Sequence, residues 1–176
     1  MKKHGRSPGV LAGALILALL FVVKPASAGT AGTDASAIAA FLSIGLANAP
    51  THFSAISGDE VGSGSGSFEV TKWPDHTHFV KCVAGHQAAI PAGDMPEYYM
   101  YMCDSTLRSD SQAALFKIAA RAVRVSLPSG YASSGASPGD LGPQEVWKRS
   151  GSPEVELTVP ASGGKSYYQL AIDVYP

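Results

Sequence analysis

The chain has 176 residues, with 13 Lys and Arg against 14 Asp and Glu, and this near-neutral balance hides an uneven distribution. Lys2, Lys3, Arg6 and Lys24 stand within the first 28 residues, which hold no acid; taking these four from the 13 leaves 9 basic and 14 acidic side chains on the other 148, a net charge of −5. So acidic a body argues against nucleic-acid binding, which draws its affinity from neutralising phosphates, and 45% hydrophobic residues argue against wholesale disorder.

The first segment reads as a secretory leader. Lys2, Lys3 and Arg6 supply a positive start, Val10 to Val23 is a run of 14 apolar or small residues, and Ala26-Ser27-Ala28 has the small-x-small pattern that signal peptidase accepts. The run falls short of the roughly 20 apolar residues of a bilayer-spanning helix. The expectation is a signal peptide over residues 1–28, cleaved before Gly29, and a single domain over 29–176 without stable membrane insertion, secreted or periplasmic. In an oxidising compartment Cys82 and Cys103, the only two cysteines and 21 positions apart, pair as a disulfide.

Periodicity predicts a helix over Asp34 to Asn48, with Thr33 or Asp34 as cap and Ile38, Phe41, Leu42 and Gly45 on one face. Gly58 to Ser67, poor in side chains, reads as a flexible loop. Strands follow at Phe68 to Trp73, Thr77 to Ala84 and Tyr98 to Cys103, the first two joined by the turn Trp73 to His76. A second helix runs from Asp110 to Ser126, capped by Ser109 or Asp110, with Leu115, Ile118, Ala122 and Val125 as its core stripe and Lys117, Arg121 and Arg124 opposite. Such a basic stripe is either a docking face for an acidic partner or an ordinary solvated face.

Pro128 to Pro143, rich in Gly, Ser and Pro, reads as a long mobile loop. Glu145 to Lys148, Glu154 to Val159 and Ser166 to Tyr175 are strands; Val155, Leu157 and Val159 of the second and Tyr168, Leu170, Ile172 and Val174 of the third face inward, and Gly163-Gly164 turns a hairpin between them. The order is α-β-β-β-α-β-β-β, which predicts an α+β fold, an antiparallel sheet with both helices on one face.

Few residues carry chemistry. If Thr77 onward is a strand, His76 and His78 fall about 6 to 7 Å apart on one face and offer two corners of a metal site, with His86, Asp75 or His52 as a third ligand; zinc or copper suits such donors. Glu154 and Glu156 share a strand face about 6.6 Å apart, a glycosidase-like spacing that a water-facing strand produces equally. No motif for a serine nucleophile, a zinc hydrolase or a phosphate loop occurs, and no cofactor is called for. The tyrosine-rich strands predict aromatic side chains on the outer sheet face, with Tyr99, Tyr101, Tyr167 and Trp73 as the binding residues. These features predict a non-enzymatic exported domain that binds an envelope or secreted protein; the alternative is a small hydrolase or metal-binding protein built on His76 and His78.

Overall fold

The last strand in sequence is the central one in space. The computed structural model describes residues 28–62, 64–89 and 96–176. Its first half comprises α1 (Ala28–Asn48), a short 3-10 turn (Ala49–Thr51), β1 (Ser57–Glu60), β2 (Ser67–Val70), β3 (Phe79–Gln87) and β4 (Tyr98–Ser105). Then come α2 (Gln112–Ser126), β5 (Ala132–Ser133), β6 (Ser137–Gly139), β7 (Gly142–Lys148), β8 (Glu154–Thr158), β9 (Ala161–Ser162), β10 (Lys165–Ser166) and β11 (Gln169–Val174). Nine strands form one sheet in the order β1-β2-β3-β4-β11-β8-β7-β5, with β6 also on β7, while β9 and β10 make a separate ribbon turned at Gly163 and Gly164. β11 runs antiparallel to both β4 and β8, closing the two halves into one sheet. The fold is α+β with the helices on one face, in the expected order but on a larger sheet.

The helix-bearing face holds the core. Ile38, Phe41 and Leu42 of α1 meet Leu115, Ala119 and Val123 of α2 above Tyr101, Leu157, Leu170 and Ile172 of the sheet, every one at most 1% exposed. Burying one such side chain stabilises by about 1.5–3 kcal/mol. Gly45 lets α1 lie close: a Cβ there would collide with Ile172 Cδ1 and come within 2.7 Å of Tyr101 Cδ1. Cys82 and Cys103 sit directly opposite on β3 and β4 and are bonded, with Cα atoms 4.1 Å apart. The disulfide thus joins neighbouring strands and fits an oxidising compartment. No helix among the described residues is long and apolar enough to cross a membrane.

Several boundaries differ from expectation. α1 begins at Ala28, so Asp34 lies inside the helix instead of capping it, and α2 is capped by Ser111, whose hydroxyl accepts from the Ala114 amide. The α2 stripe is rotated: Leu115 and Ala122 are buried, but Val125 is 72% exposed and Phe116, Ala119, Ala120 and Val123 take its place, because α2 packs on α1 as well as on the sheet. The segments expected as loops pair as edge strands: Ser57 to Glu60 on β2, and residues 132–133 and 137–139 on β7. Backbone hydrogen bonds to a distant neighbour hold these side-chain-poor stretches, and composition does not register such bonds. The leader predicted over residues 1–28 lies, apart from Ala28, outside the described residues.

Candidate functional site

Two groups of chemistry-bearing side chains stand out, one on each sheet face. On the helix face, Asp34 of α1 is fully buried, and Arg108 Nη1 donates to both its carboxylate oxygens at 2.7 and 2.8 Å. His78 Nε2 lies 3.0 Å from Asp34 Oδ1 and is also bonded to the Tyr168 hydroxyl. His78 is delivered by the turn before β3, where the Asp75 carboxylate accepts from the Thr77 amide and hydroxyl at 2.8 and 2.7 Å. Arg108 is placed by a backbone bridge to Ser166, and its Nε reaches Asp110 at 3.3 Å. Burial alone would raise the Asp34 carboxyl, but the hydrogen bonds of His78 and Arg108 and their charges outweigh it and hold it below the ordinary range. Burial pushes the Tyr168 hydroxyl far up.

The sealed cluster ties α1, the turn before β3, the α2 approach and the start of β11 to one another. Its ionisable groups answer one another, and His78 is only 11% exposed, so its geometry is that of a structural knot. Sequence reasoning missed it because Asp34 has the position of a cap and Arg108 stands 74 residues away.

The three histidines proposed as metal ligands go three ways. Residues 76–78 form a turn and the strand begins only at Phe79, so the same-face argument for His76 and His78 does not hold. His76 is exposed and stacks on the half-buried Trp73 with ring centroids 4.6 Å apart, while His78 turns inward to Asp34. His86, near the far end of β3, meets Glu97 at 2.9 Å and stacks on Tyr99, whose other face takes His52. Among the described residues no group of three or more His, Cys, Asp or Glu is arranged to hold a metal ion.

Strand register decides where the tyrosines point. Cys82 opposite Cys103 and Ala84 opposite Tyr101 put those residues on the helix face, and Tyr99 shares their parity. Tyr101, expected as a binding residue, is therefore fully buried, stacked at 4.8 Å on Phe41, and its hydroxyl has no hydrogen-bond partner among the described residues. Tyr99 is half-covered between His52 and His86, and Tyr167 is half-buried ahead of β11.

The outer face carries the alternate residues instead: Tyr98, Met100 and Met102 of β4, Glu154 and Glu156 of β8, and Asp173 of β11. No helix of the described residues covers them. Tyr98, Met100, Met102, Glu156 and Asp173 line a recess of about 330 Å³ between β4, β11 and β8, whose rim includes Tyr98 and Tyr175 with ring centroids 6.0 Å apart. Asp173, opposite Met100 on one side and Glu154 on the other, is only 9% exposed. Burial first, then the charges of Glu156 and Glu154, push its carboxyl up to about 7. Lys148 pairs with Glu154 at 2.7 Å. Beyond Tyr175 a larger cleft of about 700 Å³ lies between the end of α1 and the β7–β8 turn, lined by Leu46, Pro50, Pro153 and Val174 among others.

No family model matches the chain, and no curated protein or solved structure does so either.

Proposed function

We propose that the chain is an exported, non-enzymatic domain that binds a macromolecule of the envelope or the secreted fraction through the outer face of its sheet. The observation that carries this reading is the placement of both helices on one face, which leaves Tyr98, Met100, Met102 and Tyr175 around an acidic recess on the other. Aromatic and methionine side chains in partly covered positions are the composition of interface centres. The disulfide and the leader-like first 28 residues support export. The hydrolase reading finds less support, since His78 Nε2 is engaged by Asp34 and Tyr168 and His76 stacks elsewhere.

A photo-crosslinking side chain at Met100, compared with one at Lys117 on α2, tests the reading in extracts of the producing cells. A discrete adduct at position 100 and none at 117 is expected; no adduct at 100, or the same adducts at both, overturns it. Intact mass of the exported protein tests processing in the same preparation: retention of residues 1–28 contradicts export through a cleaved leader.

A further inference from the structure

Three carboxylates of the described fold are buried: Asp34, Glu145 and Asp173. Two are answered by arginine. Arg108 grips Asp34, and Arg124 reaches Glu145 with bonds of 2.9 and 2.8 Å from one nitrogen to its two oxygens. Asp173 makes no side-chain hydrogen bond or ion pair to any described residue, and it lines the recess on the outer face. Leaving a carboxylate desolvated and unpaired is costly, and a fold that supplies arginine to the other two leaves this one open.

We propose that this recess seats an arginine side chain of a basic peptide segment, its guanidinium meeting Asp173 and Glu156 and its stem lying along Met100 and Met102 between Tyr98 and Tyr175. The inference rests on the binding role given to this face and narrows it to one chemistry. Lys148 already neutralises Glu154, so the uncompensated negative charge at the recess belongs to Asp173 and Glu156, with Glu156 accepting one bond from Thr158. A planar guanidinium bridges two carboxylates and stacks on tyrosine rings, which a compact ammonium does less well. Methionine thioethers adapt to a flexible alkyl stem.

The groups facing Asp173 are Tyr98 and Met100 from β4, Glu154 and Glu156 from β8 with Lys148 behind them, and Tyr175 just past the end of β11. None of the described neighbours is an unpaired cation. With its carboxyl raised to about 7, Asp173 is largely protonated below neutrality and must release that proton to receive a cation, so capture tightens as pH rises through this range.

The test uses the mature chain with carbon-13 methyl-labelled methionine, which puts two probes, Met100 and Met102, in the recess. It is titrated with a tetra-arginine peptide and with tetra-citrulline, the neutral isostere. Saturable movement of both methyl signals is expected with arginine and none with citrulline. Asp173→Asn with Glu156→Gln weakens the arginine effect by about tenfold or more, and Tyr175→Ala, a change at an exposed position that spares the charges, by about threefold.

Equal movement with citrulline overturns the proposal and leaves the face a peptide-binding surface. No movement with either peptide overturns it too, while crosslinking at position 100 separately decides the broader reading. Signals that shift on concentrating the protein alone show a second copy on the face and overturn it as well, as does an arginine effect undiminished in the charge variant.

Discussion

Replacing Asp173 by Asn isolates one buried ionisation. In the unfolded chain this carboxyl titrates near 3.8, and in the fold burial and the charges of Glu156 and Glu154 push it up to about 7. A raised carboxyl binds its proton more tightly when folded, so the stability gained from protonation is fully present below about pH 4 and is lost as pH rises towards 7. At 1.36 kcal/mol per pH unit that interval amounts to about 4 kcal/mol as a ceiling, and water reaching the open recess reduces it to about 2–3 kcal/mol. Asn keeps the shape and removes the titration. The variant therefore matches the wild type near pH 4 and exceeds it by about 2–3 kcal/mol near pH 8. The other acids contribute similarly to both proteins and largely cancel in the difference. Urea denaturation followed by the fluorescence of Trp73 and Trp147 across this range measures it. Parallel curves for the two proteins, with a difference that stays within about 0.5 kcal/mol at every pH, refute the reasoning. Glu156→Gln, which removes one of the two repelling charges, gives a smaller change of the same sign.

Asp34→Ala strands the Arg108 guanidinium and costs about 3–5 kcal/mol near neutral pH; because Asp34 is held below its ordinary range, its contribution is present above about pH 4 and is lost as pH falls further, and a cost under about 1 kcal/mol in urea denaturation contradicts the structural knot. Gly45→Ala sets the better helix propensity of alanine, about 1 kcal/mol, against collision with Ile172 and Tyr101, and a net loss of about 1–2 kcal/mol is expected by thermal melting; a rise in Tm counts against the close approach of α1. Tyr101→Phe removes a buried hydroxyl that has no partner among the described residues and keeps the ring on Phe41, so stability is unchanged or rises by about 1 kcal/mol, and a loss of more than that shows that the hydroxyl is hydrogen-bonded.

What the chain reveals by itself is what neighbours in sequence decide. Alternation over residues 154–159 and 168–172 put Val155, Leu157, Leu170 and Ile172 in the core, where they are fully buried, and two consecutive glycines mark the hairpin at 163 and 164. With only two cysteines to pair, the Cys82–Cys103 bond follows from composition once an oxidising compartment is expected. Which parity of the tyrosine-rich strand faces the helices does not follow. Tyr98 and Tyr99 are equally plausible on either side, and a single step of register exchanges an exposed binding residue for a core one; the pairing of β4 between β3 and β11 made that choice and buried Tyr101. The partners of the buried acids are equally invisible, because Asp34 and Arg108 meet only when α1 is laid across the sheet. Edge strands at 57–60 and 132–139 exist through hydrogen bonds to segments elsewhere in the chain. Local pattern sets the element types and the inward residues of the strongest strands; tertiary pairing sets the faces, and with them every group that a partner can touch.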